Sequence, residues 1–108
     1  MMEELYAKFL PQFTELARER MQRAYAAAAQ PDGPALTVVM RDLHAIAGEA
    51  GLLGLARLVP IARAAEEHAK RLRDGHPETD AGSFLGALNE LGSALEALGA
   101  SSQPTEGS

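Results

Sequence analysis

Apolar residues recur at spacings of three and four along most of this chain, which is the repeat of an amphipathic α-helix. No stretch shows the two-residue alternation of apolar and polar side chains that is typical of a half-buried β-strand. The helical stretches are separated by short runs of proline, glycine and aspartate, which end helices and begin turns. The sequence therefore predicts an all-α fold.

Prolines and glycines divide the pattern into helices. The first stretch, from about residue 3 to residue 29, is interrupted by Pro11, which predicts a short helix that ends near Phe9 or Leu10 and a longer one that starts at Pro11. Pro60 falls inside a later stretch, so that helix either starts late or bends at this position. Three further helices are predicted at residues 35–50, 55–72 and 84–98.

Short links between these helices favour antiparallel neighbours. We therefore predict an up-down antiparallel four-helix bundle with a short additional N-terminal helix. The bundle is predicted to span residues 1–99. Residues 100–108 are mostly small and polar, which predicts a flexible C-terminal tail.

Composition limits the possible functions. The chain has 108 residues, 46% of them hydrophobic, which fits one domain with a single core. Cysteine is absent, which excludes disulfides, thiol nucleophiles and cysteine-based zinc sites. A net charge of -5 disfavours nucleic acid as a partner, and the absence of a signal-like or membrane-spanning segment predicts a cytoplasmic protein that does not bind membranes. We expect a monomer.

In the predicted helix at residues 35–50, His44 is the one residue whose side chain can act as a nucleophile near neutral pH. Helical phase puts it about 100° from the centre of the buried stripe, beside Arg41 and Gly48, so it should be accessible to solvent. The side chains around it are small. A glycine inside a helix costs about 0.5 to 1 kcal/mol relative to alanine, so Gly48 suggests the close approach of another molecule.

The segment His44-Ala45-Ile46-Ala47-Gly48, followed by Gly51 and Leu53-Gly54, resembles the signature of histidine phosphotransfer domains. In that family the histidine is followed by glycine at the fourth position and by an apolar residue and glycine at the ninth and tenth. The chain is similar also to the phosphoacceptor domain of chemotaxis histidine kinases. The resemblance covers most of the sequence, although no motif supports the last helix or the tail.

Membership of this family implies a phosphorelay function. His44 would accept a phosphoryl group through Nε2 from the phosphoaspartate of a receiver domain, or from a histidine kinase or hybrid kinase, and pass it to another receiver domain. The chain contains no phosphate-binding loop for ATP, so we predict a phosphocarrier and not an enzyme. No cofactor or metal is expected in this chain, because Mg²⁺ is expected in the partner receiver domain.

Phosphoryl transfer to histidine requires a neutral imidazole whose Nδ1 proton is held by an acceptor. In similar domains a glutamate or glutamine 22 positions after the histidine contacts its ring, and the residue at that position here is Glu66. Helical phase also puts Glu66 on a flank of its own helix, together with Arg63 and Lys70. We therefore predict that Glu66 orients His44.

One position departs from the family pattern. The family commonly has lysine three residues after the histidine, where this chain has Ala47. Positive charge near the phosphoryl group would have to come from Lys70, which occupies a position where similar domains often place a basic residue, or from Arg63 or Arg41. The predicted binding surface consists of Arg41, Ala45, Ala47, Gly48, Gly51, Leu52 and Arg63.

Three other interpretations remain open. The missing lysine at Ala47 favours a docking or inhibitory module that binds a receiver or kinase without transferring phosphate. In a plain structural bundle, His44 would have no chemical role. A zinc site that uses His68 and His76 with Glu67 or Glu78 is the weakest, because their spacing matches no tight ligand pattern.

Overall fold

The computed structural model describes residues 2–75 and 80–102. They form four helices, which are α1 (Met2–Ala29), α2 (Gly33–Leu52), α3 (Leu58–Arg73) and α4 (Ala81–Ser102). No strand occurs among the described residues, so the predicted all-α class is confirmed. None of these helices combines the length and the apolar character that crossing a membrane would require.

The helices pack as a ring around one core. Each helix contacts the next one along the chain, and α4 contacts α1. Arg23 of α1 pairs with Asp42 of α2, and Arg20 pairs with Glu49, which is the order expected of an antiparallel pair. The up-down order of the whole bundle remains the prediction that follows from its short connections.

Most of the fully buried positions of α3 are alanine. Ala62, Ala65 and Ala69 are fully buried, and only Leu58 adds a larger buried side chain to this helix. Such small side chains let a helix approach its neighbours closely, because the distance between helix axes depends on the side chains at the contact. The same core also contains residues of the other three helices, and those of α2 are Leu36, Val39, Leu43, Ile46, Ala47 and Ala50.

The predicted short N-terminal helix is wrong, because α1 is continuous across Pro11. Leu10 and Phe13 are buried on both sides of the proline, so a break here would disrupt the apolar stripe that fixes α1 to the core. Pro11 and Ala7 are exposed, so the Ala7 carbonyl that loses its N–H partner can be hydrated. Burial of the stripe outweighs the intrinsic cost of the proline.

The other helix boundaries follow from local chemistry. Asp32 caps α2, because its side chain accepts a hydrogen bond from the Ala35 N–H at 2.8 Å. Pro60 is the third residue of α3, which therefore starts late: a proline in the first turn removes an N–H that has no partner within the helix. Helix α4 continues to Ser102, three residues past the predicted end of the bundle at 99, and residues 103–108 of the predicted tail lie outside the described residues.

Candidate functional site

His44 stands on the exposed side of α2. Its neighbours Leu43 and Ile46 are fully buried, whereas the His44 side chain is 78% exposed. The difference follows from the helical repeat, since one residue rotates the side-chain direction by about 100°. The ring is therefore held by a helix that is fixed in the core, yet it is open to a visiting molecule.

Glu66 of α3 lies directly beside this ring. Its Oε2 is 3.3 Å from Nδ1 of His44, and its side chain is only 26% exposed. The separation permits an ion pair, or a hydrogen bond after a small rotation of the ring. With Nδ1 directed at the carboxylate, Nε2 is the nitrogen left available on the exposed part of the ring.

The residues on α2 that follow His44 include two glycines, so few side-chain atoms project from the helix surface beside the ring. Gly48 is exposed, and a Cβ built on it would meet no atom within 4 Å outside its own helix backbone. At Gly51 the nearest atom to such a Cβ is Cγ2 of Val59 at 3.9 Å, which is ordinary contact. Packing against the described residues therefore requires glycine at neither position. Leu52 at the end of α2 is 79% exposed.

Ala47 does not belong to this surface. The prediction that it forms part of the binding surface is wrong, because Ala47 is 2% exposed and packs in the core with Leu43 and Ala50. Position 47 is three residues after His44, and helical phase rotates it by about 60° towards the core. The predicted binding residues Ala45 and Arg41 differ from it, since Ala45 is half-buried and Arg41 is exposed.

Comparison with protein families decides the assignment. The family model described as Hpt domain matches residues 8–101, which is most of the chain. The chain belongs to the Hpt domain family. Comparisons with curated proteins and with solved structures gave no match. The resemblance seen in the segment around His44 therefore extends over α1 to α4.

Hpt domains are phosphocarrier modules of phosphorelays and not catalytic enzymes. They carry a phosphoryl group on histidine and interact with receiver domains and kinases. Among the described residues of this Hpt domain, His44 is the histidine that combines wide exposure with a neighbouring carboxylate. The family assignment calls for an accessible histidine, and His44 has that exposure.

The three predicted cations lie around the site and are exposed. Arg41 is one turn before His44 on α2, while Arg63 and Lys70 are one turn before and one turn after Glu66 on α3. Within residues 2–75 and 80–102, none of the three comes within 4.0 Å of a carboxylate oxygen. Helical spacing predicts that these cations lie on the same side of the Hpt domain as His44, and none of them is held in an ion pair among the described residues.

Sequence analysis missed the ion pairs that join α1 to α2. Arg23 donates two hydrogen bonds to Asp42, at 2.8 and 3.1 Å, and Arg20 donates one to Glu49 at 2.8 Å. The hydrogen bonds to Asp42, together with the charge of that carboxylate, raise the pKa of the Arg23 guanidinium above its ordinary value. Only a prediction of which faces of α1 and α2 meet could have identified these partners.

The weaker metal-site interpretation gains no support from the described part of the chain. It contains no group of three or more histidine, aspartate or glutamate side chains that could hold an ion. His76 and Glu78 of the considered zinc site lie outside the described residues. His68 is partly buried, and its Nδ1 has no hydrogen-bond partner, while Glu67 pairs with Arg71 at 3.1 Å.

Proposed function

We propose that this Hpt domain accepts a phosphoryl group on Nε2 of His44 from the phosphoaspartate of a receiver domain, or from a kinase, and passes it to another receiver domain. The observation that carries the proposal is the position of His44, which is 78% exposed with Nδ1 3.3 Å from the Glu66 carboxylate. We expect the domain to work as a monomer in the cytoplasm, without ATP or a metal ion of its own. The Mg²⁺ that phosphoaspartate chemistry uses would belong to the receiver domain.

The proposed transfer is a displacement at phosphorus. The Nε2 lone pair of the neutral ring forms the new N–P bond, and the O–P bond of the acyl phosphate breaks. The aspartate carboxylate leaves with the electron pair of that bond. The Nδ1 proton stays on the ring, which becomes a cation beside the Glu66 carboxylate. Glu66 therefore fixes the reactive tautomer and stabilises the charge that develops during transfer.

The reverse step uses the same arrangement. When a second receiver domain presents its aspartate, the carboxylate attacks phosphorus and the N–P bond breaks, so that the electron pair returns to Nε2. The cationic phosphorylated ring is a good leaving group, because it departs as neutral imidazole. No side chain of the Hpt domain needs to gain or lose a proton in either direction, which suits a carrier that must work both ways.

A docking patch next to His44 supports a protein partner. We define this patch as Val38, Ala45, Gly48, Gly51 and Leu52, which lie on the exposed side of α2. Val38 is 46% and Leu52 79% exposed, so the patch offers apolar side chains that a partner could cover. Glycine at position 48 weakens the helix, although the chain has no packing need for it. Close approach of a partner backbone would explain both features.

The test is transfer from a phosphorylated receiver domain. A set of receiver domains charged with labelled phosphate should transfer label to the wild type, and the label on the Hpt domain should be labile in acid and stable in base, as phosphohistidine is. His44→Gln should abolish this label. His68→Gln is the matched control and should retain it, because His68 is a partly buried histidine of the adjacent helix. Label that persists in His44→Gln would reject the assignment.

A second candidate is a docking module that binds a receiver domain or kinase without transferring phosphate. The observation that favours it is Ala47, which is apolar and buried at the position where the family commonly has lysine. This candidate predicts binding to a receiver domain with an affinity that His44→Gln does not change, together with no labelled wild type. Transfer to His44 would exclude it.

A further inference from the structure

We propose that Arg41 binds the phosphoryl group on His44 and neutralises its charge during transfer. The inference rests on the proposed function, because it concerns the same histidine, and it assigns one particular cation among those around the site. Arg41 lies three residues before His44 on α2, its side chain is exposed, and no carboxylate of the described residues is within 4.0 Å of it.

The geometry of α2 directs the two side chains to the same place. Residues three apart on a helix are neighbours on its surface, with about 5 to 6 Å between their Cβ atoms. Side chains of a helix also lean towards its N-terminus, so the His44 ring extends over the turn that contains Arg41. The long Arg41 side chain can then reach a group attached to the ring.

Glu66 determines which edge of the ring is free. It approaches Nδ1 from α3, so Nε2 carries the phosphoryl group away from that carboxylate. Helical phase puts Arg41 about 60° from His44, in the direction of exposed Gly48 and opposite to buried Ala47. The phosphoryl group would therefore be attached on the side of His44 where Arg41 stands.

The carboxylates of α2 pair with arginines of α1 and not with Arg41. The helix contains two acidic residues, Asp42 and Glu49, and both are held by arginines of α1. The two hydrogen bonds from Arg23 occupy both oxygens of Asp42. An arginine without an internal partner keeps its donors for an external anion, and its planar fork matches the oxygens of a phosphoryl group.

The cations of α3 are placed less well for this role. Arg63 and Lys70 are one turn from Glu66 on the same helix, where its carboxylate competes for them. Since Glu66 of the same helix meets the ring at Nδ1, we expect Arg63 and Lys70 to reach the ring from that edge. Arg41 is thus the cation best placed to contact the oxygens of a group on Nε2.

The test uses phosphoramidate, a small donor that needs no docking surface. In this reaction Nε2 of His44 forms an N–P bond, the P–N bond of phosphoramidate breaks, and ammonia leaves with its electron pair. Arg41→Ala should slow phosphorylation by about five- to twentyfold, as expected when a charge-assisted hydrogen bond at a solvent-exposed site is lost. Arg41→Lys should be intermediate, because it keeps the charge but loses the bidentate contact.

Arg18→Ala is the matched control, because Arg18 is an exposed arginine of α1 that, among the described residues, pairs with Glu15 of the same helix. It should react at the wild-type rate. In the ³¹P NMR spectrum of phosphorylated protein, the phosphoryl group should lose its last proton at a lower pH in wild type than in Arg41→Ala. Equal effects of Arg41→Ala and Arg18→Ala, or an unchanged phosphoryl titration in Arg41→Ala, would overturn the inference.

The two proposals fail in different ways. If receiver domains label His44 while Arg41→Ala reacts with phosphoramidate as fast as wild type, the inference is wrong and the carrier function stands. If no receiver domain labels the wild type but phosphoramidate labels it in an Arg41-dependent manner, the carrier function fails and the anion contact of Arg41 stands.

Discussion

Replacing Glu66 tests the arrangement on which the proposed chemistry depends. Glu66→Gln removes the negative charge beside Nδ1 but keeps an oxygen that can accept its proton, whereas Glu66→Ala removes both. In each variant the ring cation that forms during phosphorylation loses its counter-ion. We expect both variants to react more slowly with phosphoramidate, with Glu66→Ala the slower of the two.

The size of the effect follows from the distance. Two unit charges 3.3 Å apart attract by about 1.3 kcal/mol in water. Solvent screening of an exposed ring reduces this to about 1 kcal/mol, and partial burial of Glu66 limits the reduction. Since about 1.4 kcal/mol corresponds to a tenfold change in rate, we expect Glu66→Gln to slow the reaction by about three- to tenfold. In Glu66→Ala the ring also loses its preference for the Nδ1–H tautomer, so the reaction should be slower than in Glu66→Gln.

Glu67→Gln is the matched control for these variants. Glu67 is the next residue of α3, but it faces solvent and pairs with Arg71, so its loss should leave the rate unchanged. Nitrogen NMR of the imidazole supplies a second measurement, since the Nδ1–H tautomer of His44 should be less populated in Glu66→Ala. Rates within twofold of wild type together with an unchanged tautomer ratio would show that Glu66 does not orient the ring.

Three further predictions concern the fold and the docking patch. Gly48→Ala should stabilise the protein by about 0.5 to 1 kcal/mol in urea unfolding, because the new Cβ meets no atom within 4 Å outside its own helix backbone. The same variant should be slower than wild type with a receiver domain but not with phosphoramidate, and wild-type rates with both donors would contradict the proposed close approach. Pro11→Ala should stabilise α1 by about 1 to 3 kcal/mol, since it restores an N–H inside a continuous helix, and a lower urea midpoint would show that the proline is needed where it is. Asp80 lies just before α4, and hydrogen bonds from Ser83 lower the pKa of its carboxyl below the ordinary value of 3.8, so the stabilising effect of the charge should be complete above pH 3.8 and disappear as the pH falls through the lowered pKa. Asp80→Asn keeps a capping group without the charge, so a wild-type stability advantage over this variant that persists in strong acid would refute the role of the Asp80 charge.

The contact between His44 and Glu66 could be predicted from sequence because the family resemblance and the helical repeat both indicate it. Each residue leaves the buried stripe of its helix on a flank, and the short connection between α2 and α3 limits how the two flanks can be aligned. The family spacing of 22 positions supplied the register. The helices themselves were predictable for a similar reason, since their apolar stripes are long and regular.

The sequence predictions at Pro11 and at Ala47 were wrong for different reasons. A proline inside a helix predicts a break, but at Pro11 the buried Leu10 and Phe13 keep α1 continuous. Ala47 was placed on the binding surface because it belongs to the motif around His44, although its helical phase directs it into the core. Membership of a motif does not determine the face of a helix on which a residue lies.

The ion pairs between α1 and α2 connect the fold to the chemistry of the site. Arg20 and Arg23 hold α2 against α1, and they also occupy both carboxylates of α2. Were Asp42 and Glu49 unpaired, their charge would repel an incoming phosphoryl group and compete for Arg41. Because Arg23 and Arg20 of α1 neutralise these two carboxylates, the positive charge of Arg41 on the exposed side of α2 is not offset by them. In the proposed reaction α1 would thus contribute indirectly, because its arginines neutralise the acids of α2 and leave Arg41 as the charge that an anion would meet beside His44.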